Sequence, residues 1–407
     1  MPISFEMSET TRLARDHFRA MAVEHLRPIS RKYDLQEHDL PTEWVDWYWK
    51  QGRKSIPGKA GESDGFIQVC VQTEELCWGD AGLYLRTPFA GLGGSAVGAA
   101  GTKEQKKRFL SVFQGDGPPA WGAMAITEAN AGSDSAAIQT TATRDGDDWV
   151  LNGTKIFCTG GEGASQAEGG FVVVWATIDK SAGRGGIKAF VVPAGTEGMT
   201  LVGLENKLGI RASDTATLSF ENCRVPSDNL LGSAEVRKKD QAKSSGDKGF
   251  KGAMATFDAS RPIVAAMAVG VGRAALDYVL SELEHHGIEL RYDAPPAEQT
   301  ALERDAIDME AELQAARLLT WRAASMMNRG RPNSLEASMA KAKAGLAVTR
   351  ITQKAVELLG PRGYSKKLLV EKWLRDAKIN DIYEGTQQIN QLIVARRILD
   401  YPSSMLR

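Results

Sequence analysis

A block of short β-rich runs lies between two long stretches of helical periodicity, and this arrangement most limits the folds open to the 407-residue chain. Within 123–232, Trp149-Val150-Leu151, Lys155-Ile156-Phe157, Phe171 to Trp175, Ala189 to Val192 and Thr217 to Phe220 alternate with turn residues. Strands this short at this spacing predict a β-barrel or sandwich rather than repeated βαβ units. Asn152-Gly153 reads as a hairpin turn between two of them. Residues 1–122 are mostly helical in pattern. Thr102 and Gln105 have capping-box spacing, and Trp44, Trp47, Tyr48 and Trp49 sit at near-helical spacing, as core or subunit contacts. Residues 233–250 are polar without apolar periodicity, and 251–407 returns to long helices. There Ile307, Leu313 and Leu318, and Leu346, Ile351, Ala355 and Leu358, mark apolar stripes, with a break at Gly360-Pro361. The fold class is α+β, mainly α: an N-terminal helical domain, a middle β-barrel or sandwich domain and a C-terminal four-helix bundle.

Composition removes several functions. Lysines and arginines number 50 against 51 acids, a net charge of −1, which is unlike the basic stripe of an electrostatic nucleic-acid binder. The start, MPISFEMSETTR, lacks a basic region followed by an apolar one, so no secretory signal is expected. No apolar run reaches the roughly 18 residues of a membrane helix; the longest, Phe171 to Ile178, has strand length. Cys70, Cys77, Cys158 and Cys223 form no CxxC and have no nearby histidine pair, so buried reduced thiols and a cytoplasmic location are expected.

Some motifs are decoys. Gly91 to Ala96 and Gly270 to Ala275 match GxGxx(G/A), but neither follows a strand within a βαβ unit, and the second lies in a helical pattern where its glycines allow close packing. His285-His286 is the only histidine pair. Neighbours on a helix point apart and no third ligand is near, so they read as solvated. No GxSxG, P-loop or HExxH occurs.

Ala123-Met-Ala-Ile-Thr-Glu-Ala-Asn-Ala-Gly-Ser-Asp134, Leu151 to Gly160, Leu208-Gly-Ile-Arg-Ala-Ser213 with Val225-Pro226, and Arg375 to Ile389 running on to Arg396 share one order and spacing. Together they resemble the acyl-CoA dehydrogenase family from about Leu76 to the C-terminus. The resemblance implies FAD, an acyl-CoA substrate, transfer of electrons to an electron-transfer flavoprotein, and a homotetramer. It implies that Met124, Ala125, Ile126, Thr127 and Ser133 line the flavin ring and that Phe157, Cys158 and Thr159 pack over its other side. Glu384 matches the base that takes the α-proton while hydride leaves for flavin N5. Such a base needs a dry pocket that raises its pKa, and the thioester oxygen needs donors for its developing charge; in the family these are the base's own N–H and a ribityl hydroxyl. Tyr383 and Gly385, with Ser133, Asp258 and Arg261, are implied to meet the substrate, and Thr386 and Gln388 the cofactor. Relatives that carry the base earlier do so in the helix beginning near Phe257. Here that stretch, Phe257-Asp-Ala-Ser-Arg-Pro262, holds no glutamate.

The sequence departs from the family where a neighbouring subunit clamps the ADP half of FAD. Glu289 falls at the arginine of that clamp, Tyr292 at its phenylalanine and Asp293 at its glycine. Thr300 falls at its glutamine unless Gln299 slips by one. Glu357 replaces a second glutamine, and Pro361, after Gly360, removes a backbone donor. Three arrangements answer this: Arg291 or another base compensates in a homotetramer, a different chain supplies the clamp in a hetero-oligomer, or the flavin binds weakly. A non-catalytic structural homologue and a flavin monooxygenase are the other readings. The loop from Ser233 to Lys248, with Arg237, Lys238, Lys239, Lys243 and Lys248, is a candidate for meeting a CoA phosphate.

Overall fold

A computed structural model describes residues 6–54, 64–236 and 249–401, with 249–255 described by backbone alone. The N-terminal part comprises α1 (Glu9–Met21), α2 (Ser30–Leu35), α3 (Thr42–Lys50), α4 (Gly65–Arg86), α5 (Gly91–Ala100) and α6 (Lys103–Leu110). Local chemistry sets the ends. The Ser8 hydroxyl accepts from Thr11 N to start α1, and Thr102 and Gln105 form the reciprocal capping box of α6. Trp44, Tyr48 and Trp49 are buried, with Trp44 and Tyr48 packing against Phe18, Leu26 and Leu76. Trp44 and Trp49 are core, and Trp47 is half-buried against it.

The middle part holds β1 (Gly122–Ala125), β2 (Thr141–Asp145), β3 (Asp148–Thr159), α7 (Gly161–Gln166), β4 (Phe171–Thr177), β5 (Ile187–Pro193), β6 (Met199–Leu204), β7 (Thr215–Pro226) and β8 (Leu230–Leu231). They make an eight-stranded sheet in the order β6-β7-β3-β2-β4-β5-β8, with β1 also on β4. Neighbours are antiparallel except β1 along β4 and one residue pair between β2 and β4. β4 is apolar without alternation because both its faces are covered. Val172, Val174 and Ala176 join one core with Phe190, Leu218 and Phe220. Phe171, Val173 and Trp175 join another with Val97 and Phe109 of the helices and Met124 and Ile126.

The C-terminal part is α8 (Gly249–His285), α9 (Ala301–Asn328), α10 (Ser334–Tyr364), α11 (Val370–Ala377) and α12 (Gln387–Ile398). One core joins α8, α9, α10 and α11, and Cys77 and Ala81 of α4 complete it. Gly270 lies on α8 where an added Cβ would stand 2.4 Å from the Glu74 carbonyl. That glycine permits helix contact, as its helical context implied. His285 ends α8 and His286 follows it; both are exposed. Gly360 (φ 53, ψ −132) interrupts α10 at the expected break. The four cysteines are free and buried.

Several expectations are corrected. Asn152-Gly153 is no turn: β3 runs through it, and the β2–β3 hairpin turns at Gly146-Asp147. The glycine is needed for a bulge, at φ 148, where a Cβ would meet Thr140 Oγ1 at 2.5 Å. The helix expected near Phe257 begins at Gly249 and carries Pro262 inside it, so Asp258 and Arg261 pair within the helix rather than at its start, and 249–250 belong to it. Arg237, Lys238, Lys239, Lys243 and Lys248 lie outside the described residues. Leu318 is off the α9 stripe, at 37% exposed; Ala306, Met309, Leu313, Ala316 and Thr320 form it. Among the described residues one segment, Thr256–His285, is long and apolar enough to cross a bilayer by length and composition. Most of it is buried within the helical core, where a helix needs apolar residues all round.

Candidate active site

Two strand segments meet beside the N-terminal half of α8. Lys155 staples them. Its Nζ, buried in β3, donates to the Ile126 carbonyl at 3.1 Å and to Glu128 Oε1 at 2.7 Å, and Ile156 N donates to the Thr127 carbonyl at 2.9 Å. Glu128 also accepts from Thr140 N and Thr140 Oγ1. Burial lowers the Lys155 ammonium to about 8 against the pull of Glu128. Neither residue was singled out from sequence. The available signal was a lysine at an inward position of a strand, which only a buried acid can accommodate.

The staple fixes what faces outward. Met124, Ala125 and Ile126 are buried in the sheet cores. The Cys158 thiol turns inward onto the Met124 carbonyl at 3.6 Å, and burial raises its pKa. These four residues therefore offer a ligand chiefly their backbone groups, the Cys158 thiol being turned away from the surface. Thr127 and Thr159 are half-buried and Ser133 is exposed. Phe157 is 58% exposed and sits at φ 58. An aromatic held open in a left-handed conformation is an unusual outlay of strain and surface. It fits a planar ring stacked on it, so the ring half of a flavin is compatible with these residues.

Glu384 also lies against α8, in the elbow between the Lys378–Asp381 turn and α12. Glu384 and Gly385 are both left-handed, at φ 57 and 89. Ser260 Oγ of α8 donates to Glu384 Oε2 at 2.6 Å, and Arg261 Nε makes a long contact with the Glu384 carbonyl at 3.4 Å. Arg261 also pairs with Asp258 at 2.9 Å. Lys341 of α10 donates to the Gly385 carbonyl at 2.7 Å. Protein encloses the carboxyl, although the residue keeps partial access. Burial raises its pKa, against the downward pull of Ser260, Arg261 and Lys341. The Glu384 N–H has no hydrogen-bond partner among the described residues. The site thus offers a carboxylate of raised basicity beside a free backbone donor, the pair needed to remove a proton next to a carbonyl.

The two halves join through α8. Phe257 packs on the sheet core that holds Met124 and Ile126. Ser260, three residues on and roughly 4.5 Å along the axis, reaches Glu384. Tyr383 is half-buried, its hydroxyl on Asn380 Oδ1 at 3.1 Å. Thr386 caps α12 by accepting from Ile389 N at 3.2 Å, so its oxygen is partly spent, and Gln388 is exposed. Ser260 and Lys341 were not singled out from sequence. Lys341 could have been found as a charge on the small-residue face made by Ala337, Ala340 and Ala344.

Family models agree with this division. Residues 8–114, 123–223 and 247–399 match those for the N-terminal, middle and C-terminal domains of acyl-CoA dehydrogenase. The chain is 38% identical over 401 residues to the short-chain specific acyl-CoA dehydrogenase of Bos taurus mitochondria, covering 97% of this chain and 92% of the relative. The chain belongs to the acyl-CoA dehydrogenase family. The solved butyryl-CoA dehydrogenase of Megasphaera elsdenii superposes with a TM-score of 0.80 at 30% identity, over 98% of this chain and all of that one. A structure described as the electron transferring flavoprotein of Acidaminococcus fermentans matches with a TM-score of 0.83 at 32% identity, over 98% and 100%. The helical–β–helical fold and the oxidoreductase class follow, and with them a flavin.

The remaining residues implied by the acyl-CoA dehydrogenase resemblance do not gather at Glu384. Gly360 lies nineteen residues beyond Lys341 along α10, roughly 28 Å at helical rise. Arg291, Tyr292 and Gln299 occupy the connection from α8 to α9. Arg291 does not offer a free guanidinium: Glu303 holds it at 2.7 and 2.8 Å, and the Glu298 carbonyl at 2.8 Å. The Gln299 amide donates to the carbonyls of Arg291 and Ala294. Tyr292, 59% exposed, donates its hydroxyl to Glu310, and Glu357 is paired with Lys354.

Proposed function

We propose that the chain is an FAD-dependent acyl-CoA dehydrogenase that converts a short-chain acyl-CoA to its 2-enoyl-CoA and passes the electrons to an electron-transfer flavoprotein. The α8 bridge carries the reading: one turn of this helix packs Phe257 on the Met124–Ile126 core and sets Ser260 on Glu384. FAD, when bound, supplies the hydride acceptor for the β-hydrogen. Glu384 takes the α-proton, and its own N–H is placed to donate to the thioester oxygen as negative charge develops there. Ser260 orients the carboxylate, and the low-dielectric surroundings that raise its pKa make it a stronger base. Thr127, Ser133 and Thr159 offer hydroxyls along the ring edge. The short chain length rests on the relatives' substrates, and the electron-transfer partner on the Acidaminococcus match.

Anaerobic bleaching of the flavin by butyryl-, octanoyl- and palmitoyl-CoA tests this. Bleaching is expected, fastest with butyryl-CoA. A bound flavin that none of the three reduces would leave a non-catalytic homologue or a monooxygenase in its place.

The commitment of Arg291 to Glu303 favours one arrangement for the ADP half: a second chain of different sequence supplies its clamp. On this chain the residues set for that role include Glu289 and Asp293, both exposed, and a pyrophosphate facing them meets repulsion; the charge of Glu357 is paired by Lys354. Flavin counted per purified chain is expected to be well below one without a partner chain and to rise when one is co-purified. One flavin per chain in the isolated protein would restore the homotetramer.

A further inference from the structure

Lys341 is 1% exposed, yet it has no ion-pair partner among the described residues. Its hydrogen bond there is to the Gly385 carbonyl, at 2.7 Å. A lysine is rarely buried without a paired acid, because removing an ammonium from water is costly. Such a residue persists when its charge or its donor has a task. The same carbonyl also accepts from Asn390 Nδ2 at 2.8 Å, so α10 and α12 both grip the peptide that follows the base. That peptide closes the pair of left-handed residues at 384 and 385. For glutamate this conformation is unfavourable and holds only where its surroundings over-determine it.

We infer that Lys341 is a positioning residue for the base: its ammonium clamps the Gly385 carbonyl and holds the elbow in the conformation that sets the Glu384 carboxyl on Ser260 and leaves the Glu384 N–H free. The inference rests on Glu384 being the base, as proposed above. Charge has a part in it as well as geometry. The groups around Lys341 are Glu384 and Asp381 on the elbow segment, the Tyr383 ring 6.0 Å away, and Arg261 on α8. Burial brings the ammonium down to about 8 although the two carboxylates oppose this. In return, Lys341 is one of the groups that hold the Glu384 pKa below what burial alone would set. A base with the wrong orientation loses alignment with the α-carbon, and a base without the cation holds its proton to higher pH.

The test compares the holoenzyme with Lys341→Met, which removes donor and charge, and Lys341→Gln, which keeps a donor and removes the charge. Flavin reduction by butyryl-CoA is followed anaerobically across pH, with KM, kcat and flavin content measured in parallel. In Lys341→Met the reduction rate is expected to fall roughly 10- to 100-fold with KM unchanged, and its pH midpoint to move upward. Lys341→Gln is expected to recover part of the rate while keeping the raised midpoint. Wild-type rate and midpoint in Lys341→Met overturn the inference. Should that variant lose its flavin, an unshifted midpoint in Lys341→Gln overturns it equally. A wild-type flavin that no acyl-CoA reduces sinks the underlying reaction instead, and is told apart because the variants then have no reference activity to lose.

Discussion

Replacing Glu384 by glutamine is expected to leave flavin content and thermal stability close to those of the wild type while lowering the rate of flavin reduction by butyryl-CoA roughly 100- to 10,000-fold, the span a general base contributes. The substitution keeps the volume and an oxygen that can accept from Ser260, so the elbow has no reason to open. What disappears is the basic carboxylate that receives the α-proton. In the wild type the rate is expected to climb with pH through a midpoint above the ordinary carboxylate range. The sign follows from the shift: burial raises the Glu384 pKa, and the base works only after losing its proton. A Glu384→Gln protein should show no such climb. Stopped-flow bleaching at several pH values reads both, and a variant that reduces its flavin at the wild-type rate removes Glu384 from the reaction.

Lys372→Met is expected to destabilise the protein by about 3–5 kcal/mol, the cost of leaving a buried charge uncompensated. Lys372 is 0% exposed and bridges Asp80 at 2.7 Å and Asp376 at 2.5 Å, both also buried. Each acid has a second duty. Asp80 sits where α4 kinks (φ −166, ψ 122) and accepts from Leu83 N to restart the helix. Asp376 accepts from Ile210 N at 2.6 Å, tying the β part to α11. Burial works against the Lys372 charge, but the two carboxylates outweigh it and hold the pKa above its usual value. Without the lysine, two carboxylates face each other in the core, eight residues upstream of Glu384 for the nearer one. Thermal unfolding and urea titration measure the loss. Adding Asp80→Asn and Asp376→Asn to Lys372→Met should restore part of it, since the charge and not the volume is at fault; a single variant as stable as the wild type would contradict the network.

Much of this was legible in the chain because it depends on neighbours in sequence. Capping at Thr102, the unbroken apolar run of β4 and the break at Gly360 are local features, and local features carry their cause within a few residues. The block around Glu384 was equally legible, because the base, the glycine after it and the helix that follows are contiguous. Asn152-Gly153 misled for the complementary reason. The dipeptide has the composition of a turn, but Thr140 packs against Gly153 from outside the strand and makes it a bulge.

Sequence by itself determined the order of helical, β and helical parts, the family and the candidate base. Only the tertiary structure decided what surrounds that base. Ser260 comes to it from 124 residues away and Lys341 reaches the next peptide across 44, while Arg291 is captured by Glu303 before it can serve a phosphate. Burial, partner choice and pKa are properties of groups brought together through space, and no local pattern encodes which distant residue fills a given contact.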